Sequence, residues 1–209
     1  MMQASESVIS LCFNSSLLKY GGDIAVGAMT ILSSVMQFAM MPLQGVAQGA
    51  QPITSYNFGA GNVKRVKQSF KYLLTVCVTY SLLLWGAIML FPELFAKMFC
   101  PNAGLIEFAA KSLRIYCGVL FLFGIQIACQ MTFISIGNAL WSIIVAVLRK
   151  FVLLIPLIYI LPSFLSDKTT AVYMAEPVAD AIAVTCTAII FFIQFRKSLR
   201  TPDSSQKLK

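Results

Sequence analysis

The chain has 209 residues, of which 58% are hydrophobic and only 11% are charged, with a net charge of +8 and a mean hydropathy of +0.81. A soluble domain usually carries about a quarter charged residues, so this composition argues against an ordinary soluble domain and predicts several membrane spans. The basic residues lie between and after apolar runs, as in membrane loops, so we do not expect a nucleic-acid partner.

The chain also lacks the residues on which most enzyme and metal sites depend. It contains no histidine, and its six cysteines form no C-x-x-C pair. Histidine is the commonest general base and transition-metal ligand, so neither kind of site has its usual residues here. We therefore predict that the protein is not an enzyme and holds no metal or organic cofactor. The cysteines are expected to pack as small apolar residues.

The first two predicted helices share a long N-terminal stretch. Within residues 1–20 the apolar stretch SVISLCFNSSLL is too short to cross a bilayer alone, so residues 1–20 are predicted to form part of a first transmembrane helix. Residues 24–63 contain no charge and would form a helix of about 60 Å, twice the ~30 Å hydrocarbon core. We predict a long second helix at 24–57, kinked at Pro42 and Pro52 because proline removes a backbone hydrogen bond.

The rest of the chain divides into further spans and loops, which together predict an all-α polytopic membrane protein with six transmembrane helices. The predicted divisions are a basic cytoplasmic loop at 58–71, a third span at 72–91, an outer loop with an interfacial turn at 92–114, a fourth span at 115–136, a fifth at 139–165, a sixth at 171–195 and a tail at 196–209. Nine lysines and arginines fall on the side of the basic loop and tail, and three on the other. Positive charge marks the cytoplasmic side, so we expect a multi-pass protein of the cell membrane with both ends in the cytoplasm.

Small polar and amide side chains recur at intervals of three, four or seven residues along the second predicted helix. They are Thr30, Ser33, Gln37, Gln44, Gln48, Gln51 and Ser55. This spacing places them on one helix face, which cannot point at lipid because each unpaired amide would cost several kcal/mol there. The face either lines a cavity for organic molecules or joins helices through hydrogen bonds worth about 0.6 kcal/mol each. Gly45 and Gly49, on an adjacent face, are expected to let a neighbouring backbone approach closely.

Ionisable side chains within apolar segments mark a second candidate site, since such charges are costly in a membrane. They are Glu6, Arg149, Glu176 and Asp180. Glu176 and Asp180 share a helix face and, if close, would share a proton, which suits proton coupling. The alternative is a structural ion pair between Asp180 and Arg149, with Glu176 at the outer interface. Gln126 and Gln130, four residues apart, either extend the amide-lined cavity or join helices.

Several stretches resemble, in the same order, segments of the multidrug and toxic compound extrusion (MATE) family. The most specific is MPLQGVAQGAQPITSYNFGAGNVKRVKQSFKY, from Met41 to Tyr72. NSSLLKYGGDIAVGAMTI precedes it, and FPELFAKMF, LRIYC, LRKFVLLIPLIYILP and AEPVAD follow it. The resemblance implies a fold of two six-helix lobes that exports cationic or amphipathic drugs in exchange for Na⁺ or H⁺. It covers nearly the whole chain and matches only the C-terminal lobe, beginning inside the seventh helix.

The resemblance also implies ion-binding positions that this chain fills only in part. Many family members carry an acidic residue in the seventh helix, and the matching position here is near Gln3, with Glu6 about one turn away. The aspartate that many carry in the tenth helix is matched by the neutral residues Ile125 and Gln126. These neutral matches argue against a family-type cation site in this lobe. The family's N-terminal-lobe aspartate has no counterpart in this sequence.

We therefore interpret the chain as the C-terminal half of a Na⁺- or H⁺-coupled antiporter that exports drugs by alternating access. Its expected partners are small cationic or amphipathic organic substrates, the lipid bilayer, and either a missing N-terminal lobe or a second copy of the chain. One alternative is a truncated, inactive membrane fragment or assembly half. A lipid-linked saccharide flippase is less favoured, because its cavity would need arginines and lysines to hold pyrophosphate. The candidate substrate- and cation-binding residues are Gln3, Glu6, Gln37, Gln44, Gln48, Gln51, Gln126, Gln130, Arg149, Glu176 and Asp180.

Overall fold

The computed structural model describes residues 2–100, 102–137, 139–164 and 167–200, and throughout these ranges the chain forms helices and short turns with no strand. The α-helices are α1 (Met2–Gly59), α2 (Val63–Leu90), α3 (Pro92–Lys97), α4 (Ala103–Tyr116), α5 (Phe123–Ser135), α6 (Ala139–Val147), α7 (Ile155–Phe164) and α8 (Lys168–Arg200). A 3₁₀ turn at Leu120–Leu122 precedes α5, and a π-helix at Leu148–Leu154 joins α6 to α7. Four stretches within the described ranges are long and apolar enough to cross a membrane, and a fifth is added if the bent pair α4–α5 counts as one span.

α1 is too long to be a single membrane crossing. Its 58 residues would extend about 87 Å as a straight helix, against a hydrocarbon core of about 30 Å. The backbone leaves helical geometry at Gly22, with φ 64° and ψ −162°, which divides α1 into two helical parts. With this division, the helical segments are compatible with the predicted all-α membrane fold.

The segment before α5 differs from the sequence-based division, which placed a loop at 92–114 and began a span at 115. α4 is a regular helix from Ala103 to Tyr116, and the Asn102 side chain caps it by accepting a hydrogen bond from the Gly104 backbone N–H at 3.1 Å. Its buried residues recur at helical spacing, with Ile106, Ala109 and Leu113 facing the core. Glu107 and Lys111 lie on the opposite, exposed face, so this part of the predicted loop forms an amphipathic helix.

α4 and α5 meet at a 48° bend. The bend follows the end of α4 at Cys117, where the Trp85 indole of α2 donates a hydrogen bond to the Gly118 carbonyl at 3.0 Å. That bond satisfies a carbonyl left free by the interrupted helix, so the break is held by α2. The Trp85 ring also contacts Phe121 edge-on, with ring centroids 5.6 Å apart.

The principal core joins α1 to α4, α7 and α8. Among its fully buried side chains are Leu32 and Val35 of α1, Leu113 of α4, Ile158 of α7 and Tyr173 of α8. The Tyr173 hydroxyl donates a hydrogen bond to the Ala25 carbonyl at 2.7 Å, so the largest buried side chain also satisfies its polar atom. This contact fixes the start of α8 against the part of α1 that follows the Gly22 break.

An aromatic cluster fixes the opposite end of the bundle. Phe191 of α8 lies 4.6 Å from Phe70 of α2 and 5.1 Å from Phe133 of α5, measured between ring centroids, and stacks on Phe195 at 4.8 Å. The cluster therefore holds the N-terminal end of α2 beside the C-terminal ends of α5 and α8. The basic stretch 64–71 lies at this same end of the bundle.

A carboxylate caps the start of α8. Asp167 Oδ1 accepts hydrogen bonds from the backbone N–H groups of Thr169 at 3.2 Å and Thr170 at 3.3 Å, and Oδ2 accepts one from the Thr170 hydroxyl at 2.6 Å. The hydroxyl bond first, and then the backbone bonds, lower the pKa of Asp167 below its ordinary value. Because the folded-state pKa is lowered, the cap stabilises the fold above the ordinary carboxyl pKa and loses this contribution as the pH falls through the lowered value.

Asp167→Ala is expected to remove this cap and to lower the free energy of unfolding by about 1 kcal/mol at neutral pH. Melting temperatures of the two proteins should converge under strongly acidic conditions, because the wild-type cap is then protonated as well. Asp167→Asn keeps a capping oxygen and is the matched control, so it should melt closer to the wild type. Equal melting temperatures for the wild type and Asp167→Ala at neutral pH would show that the cap contributes nothing.

Candidate functional site

The amide residues of α1 lie on the outside of the bundle. The buried stripe of this helix runs through Leu32, Val35, Ala39, Leu43 and Ala47, each at most 5% exposed. Gln37, Gln44 and Gln48 are exposed and lie on the opposite side of the helix axis from that stripe. We call these three glutamines the amide face. Gln51, one turn further along, is half-buried.

The glycines beside the amide face are also uncovered. A Cβ built at Gly45 or Gly49 would meet no described atom within 4 Å, so within this chain no backbone approaches them closely. The expected close approach is therefore not made by the helices that the structure describes. Pro42, which lies at the same level of the helix, is exposed as well. This side of α1 is thus a polar, small-residue surface with no cover from the bundle.

A groove of about 610 Å³ runs beside this surface, between α1 and α2. Its lining residues are Val46, Gly49, Ala50, Ile53, Asn57, Arg65, Gln68, Ser69, Tyr72, Leu73 and Val76. The groove is mostly apolar, with polar groups toward the end of the bundle that carries the basic stretch. Below it, the Thr54 and Ser69 hydroxyls are hydrogen-bonded at 2.8 Å and join the two helices.

The second candidate site is an ion cluster inside the bundle. Arg149 donates from Nη2 to Glu176 Oε1 at 3.3 Å and from Nε to Asp180 Oδ1. Asp180 is 1% exposed and Glu176 9% exposed. The structure therefore brings together three of the predicted residues, and the expected pairing of Arg149 with Asp180 is present. Glu176, which this alternative placed at the outer interface, contacts Arg149 and belongs to the same cluster.

The residue that supplies the positive charge stands on an unusual backbone segment. Arg149 belongs to the π-helix Leu148–Leu154. π-Helices have wider turns than α-helices and are rare, but those that occur often lie at functional sites. The guanidinium carbon of Arg149 lies 4.9 Å from the centre of the Phe123 ring of α5, a cation–π contact. The buried ring of Tyr116, from α4, is close enough to interact with both carboxylates. The cluster is thus enclosed by α4, α5, α8 and the π-helix.

Gln126 and Gln130, the other predicted residues whose side chains the structure describes, do not join either site directly. Gln126 of α5 is 4% exposed and its Oε1 has no hydrogen-bond partner among the described residues, while Gln130 is half-buried. Because Gln126 is inside the bundle and the amide face is outside, the structure does not bring them into one surface. The side chains of Gln3 and Glu6 lie outside the described residues.

Sequence reasoning missed the aromatic groups around the ion cluster. Phe123 and Tyr116 stand in apolar runs where nothing in their spacing separates them from core residues. The π-helix also has no clear signal in the sequence, although Pro156, which cannot donate a backbone hydrogen bond, follows it closely. The ionisable side chains of Arg149, Glu176 and Asp180 within apolar segments were the features of this site that the sequence could reveal.

Three comparisons with known proteins bear on the identity of this arrangement. The MatE family model matches residues 1–160. An uncharacterised Mycoplasma pneumoniae protein, described as an MG447 homolog, is 27% identical over 140 residues, covering 66% of this chain and 26% of that protein. The multidrug export protein MepA of Staphylococcus aureus (strain NCTC 8325 / PS 47) is 22% identical over 194 residues, covering 92% of this chain and 42% of MepA.

The fold comparison agrees with the sequence comparisons. A multidrug resistance MATE family transporter of the MOP superfamily, solved in an outward-facing conformation, superposes with a TM-score of 0.86 at 20% identity, covering 95% of this chain and 45% of that one. The chain thus spans less than half the length of each of these relatives. The all-α, multi-pass membrane fold predicted from composition is confirmed. Because the family model covers most of the chain, the protein belongs to the MATE family of transporters.

Proposed function

We propose that this chain forms one lobe of an exporter that moves small cationic or amphipathic organic molecules across the cell membrane by alternating access, in exchange for Na⁺ or H⁺. The observation that carries the proposal is the amide face, Gln37, Gln44 and Gln48, which is polar, uncharged and turned away from the bundle core. Neutral amides donate and accept hydrogen bonds without the desolvation cost of a buried charge. Such a surface suits a pathway that must bind varied organic molecules and then release them.

The same face implies that the lobe works against a second lobe. An amide exposed to hydrocarbon leaves its hydrogen bonds unmade, so the amide face is unfavourable against lipid. The uncovered glycines, Gly45 and Gly49, would let another backbone come close. We infer that the cover is the N-terminal lobe of a longer transporter, or a second copy of this chain related by an axis along the membrane normal, as in parallel-repeat transporters.

The orientation follows from the distribution of basic residues. The aromatic cluster places the N-terminal end of α2, which carries Lys64, Arg65, Lys67 and Lys71, beside the C-terminal end of α8. Positively charged ends face the cytoplasm. We infer that this end of the lobe, with the C-terminal tail, is cytoplasmic.

Gln48→Leu and Gln44→Leu are expected to weaken substrate binding by about 2- to 10-fold each, because each removes one hydrogen-bonding group worth about 0.5–1.5 kcal/mol. Stability should change little, because both side chains are exposed. Ethidium, a fluorescent organic cation, is the probe. Its binding is measured by fluorescence polarisation on the purified complete transporter, and its efflux in cells that express the variants.

Gln194→Leu is the matched control, since it makes the same change at a half-buried glutamine of α8 that lies outside both the amide face and the groove. It should leave ethidium binding nearly unchanged. If the amide-face variants instead lowered the melting temperature and left binding intact, the glutamines would be joining helices rather than contacting substrate.

The alternatives predict different results in the same cells. A flippase for lipid-linked saccharides would need basic groups on its pathway to hold pyrophosphate, and residues 24–63, which include the amide face, carry no charge. An inactive fragment would leave ethidium efflux at background whether or not an N-terminal lobe is co-expressed. Efflux that appears only with the co-expressed lobe would support the proposal.

A further inference from the structure

The ion cluster contains a carboxylate oxygen whose bonding is incomplete. Arg149 uses its Nε on Oδ1 of Asp180 and its Nη2 on Oε1 of Glu176. The second oxygen of Asp180, Oδ2, is fully buried and has no hydrogen-bond partner among the described residues. A buried charged oxygen left unpaired is costly, whereas the same oxygen carrying a proton is neutral. The geometry therefore leaves room for one more positive species at Asp180.

The donor set favours a proton over a metal ion. Hard metal cations are held by several oxygen ligands, and within the described ranges no three acidic, cysteine or histidine side chains converge at one point. Arg149 already occupies the position between the two carboxylates, so a metal ion would have to displace a guanidinium. A proton needs only the one free oxygen that Asp180 offers.

We propose that Asp180 and Glu176, held by Arg149, form a buried proton-binding site within this lobe. The proton site itself does not depend on the proposed transport function. Only the role assigned to the proton, as the coupling ion, rests on that function. On binding, a proton from water adds to Oδ2 of Asp180, and the carboxylate becomes a neutral carboxyl group. On release, the proton returns to water and the ion pair with Arg149 regains its full charge.

Other titratable groups surround the two carboxylates and take part in this balance. They are Lys150 of the π-helix and Tyr116 and Cys117 of α4. Phe123 of α5 covers the guanidinium of Arg149. Tyr116 and Cys117 are themselves buried, so they bring weak polar groups but no formal charge to the site. The positive charges that balance the carboxylates therefore come from the π-helix.

This arrangement links protonation to the position of a backbone segment. When Asp180 is neutral, Arg149 loses one of its two charged partners, and its hold on α8 weakens. The π-helix Leu148–Leu154 is the segment that would respond, because it carries Arg149 and packs against α8. Proton binding is thereby coupled to the contact between two helices of the lobe.

Infrared difference spectroscopy on the purified chain in lipid nanodiscs tests the proposal directly. The spectrum is followed as the pH is lowered at constant Na⁺, and the band of a protonated, water-shielded carboxyl group is measured. We expect such a band in the wild type, its loss in Asp180→Asn and a shift in Glu176→Gln. Glu107→Gln, which changes an exposed carboxylate of α4, is the matched control and should keep the band.

Three other outcomes overturn the proton-site proposal. A wild-type spectrum without a titrating buried carboxyl would mean that the cluster is a permanently ionised structural network, and this reading does not depend on any variant folding. A change produced by Na⁺ at constant pH would mean that the site takes a metal cation. If folded Asp180→Asn kept the band, the proton would be bound by a carboxyl group other than Asp180. A protein that shows the band but exports no ethidium would contradict the proposed transport function and leave the proton site standing.

Discussion

Arg149→Leu is expected to lower the free energy of unfolding by about 3–5 kcal/mol, which is the usual cost of leaving a buried charge without its partner. The substitution removes both hydrogen bonds of the guanidinium and strands the carboxylates of Glu176 and Asp180, which are 9% and 1% exposed. The leucine would still fill part of the space over the Phe123 ring. Most of the loss should therefore come from charge rather than from packing.

Thiol labelling provides the measurement, because Cys77, Cys117 and Cys129 are buried and free. A fluorescent maleimide added to purified protein reports unfolding on heating as these thiols become accessible. The control is Lys111→Leu, which breaks an ion pair with Glu107 whose two side chains are 77% and 75% exposed. Exposed pairs contribute little, so this control should melt close to the wild type.

A compensated variant separates charge from packing. Arg149→Leu combined with Glu176→Gln and Asp180→Asn removes all three charges, and neutral groups in place of a buried ion network are often tolerated. This triple variant is expected to recover a substantial part of the lost stability. If it were as unstable as Arg149→Leu alone, the stabilising role of Arg149 would lie in its contact with Phe123 instead.

Gly124→Ala is expected to have the second-largest effect on stability. A Cβ at this position of α5 would lie 2.5 Å from the Cys77 carbonyl oxygen and 2.8 Å from the Ser81 hydroxyl of α2. A backbone carbonyl cannot rotate away as a side chain can, so α2 and α5 would have to separate. Forced overpacking of this kind costs about 1–3 kcal/mol, and the better helix propensity of alanine offsets about 1 kcal/mol of it.

Gly86→Ala makes the same change in α2 at a place where an added Cβ would meet no described atom within 4 Å. It should leave the melting temperature equal or slightly higher, since only the propensity gain remains. A Gly124→Ala protein that melts no lower than Gly86→Ala would show that the two helices can part at no cost.

The sequence was enough to predict features that depend on position along one helix. The amide face follows from the spacing of Gln37, Gln44 and Gln48, and these side chains do lie on one side of α1. The pairing of Arg149 with Asp180, which joins two segments, was only one of two alternatives drawn from the cost of an isolated charge in an apolar segment, and the structure contains that pair. Both arguments needed only helical periodicity and the energetics of burial.

Features that depend on packing between distant segments could not be predicted in this way. Glu176 was weighed as a residue of the outer interface, yet its burial is set by which helices surround it. The unpaired Oδ2 of Asp180 and the ring of Phe123 beside Arg149 depend on where α5 and the π-helix cross α8. The open space around Gly45 and Gly49, where no described atom lies within 4 Å of an added Cβ, is likewise visible only in three dimensions.

The backbone conformation of Gly22 limits which residues can replace it in related proteins. Its φ of 64° and ψ of −162° lie in a region of backbone space that is essentially restricted to glycine. No described atom stands within 4 Å of the position that a Cβ would take, so space alone would admit almost any residue. The restriction comes from the backbone conformation at Gly22 and not from neighbouring atoms. Relatives that keep the break in α1 should therefore retain glycine here, even though an inventory of contacts would class the position as freely variable.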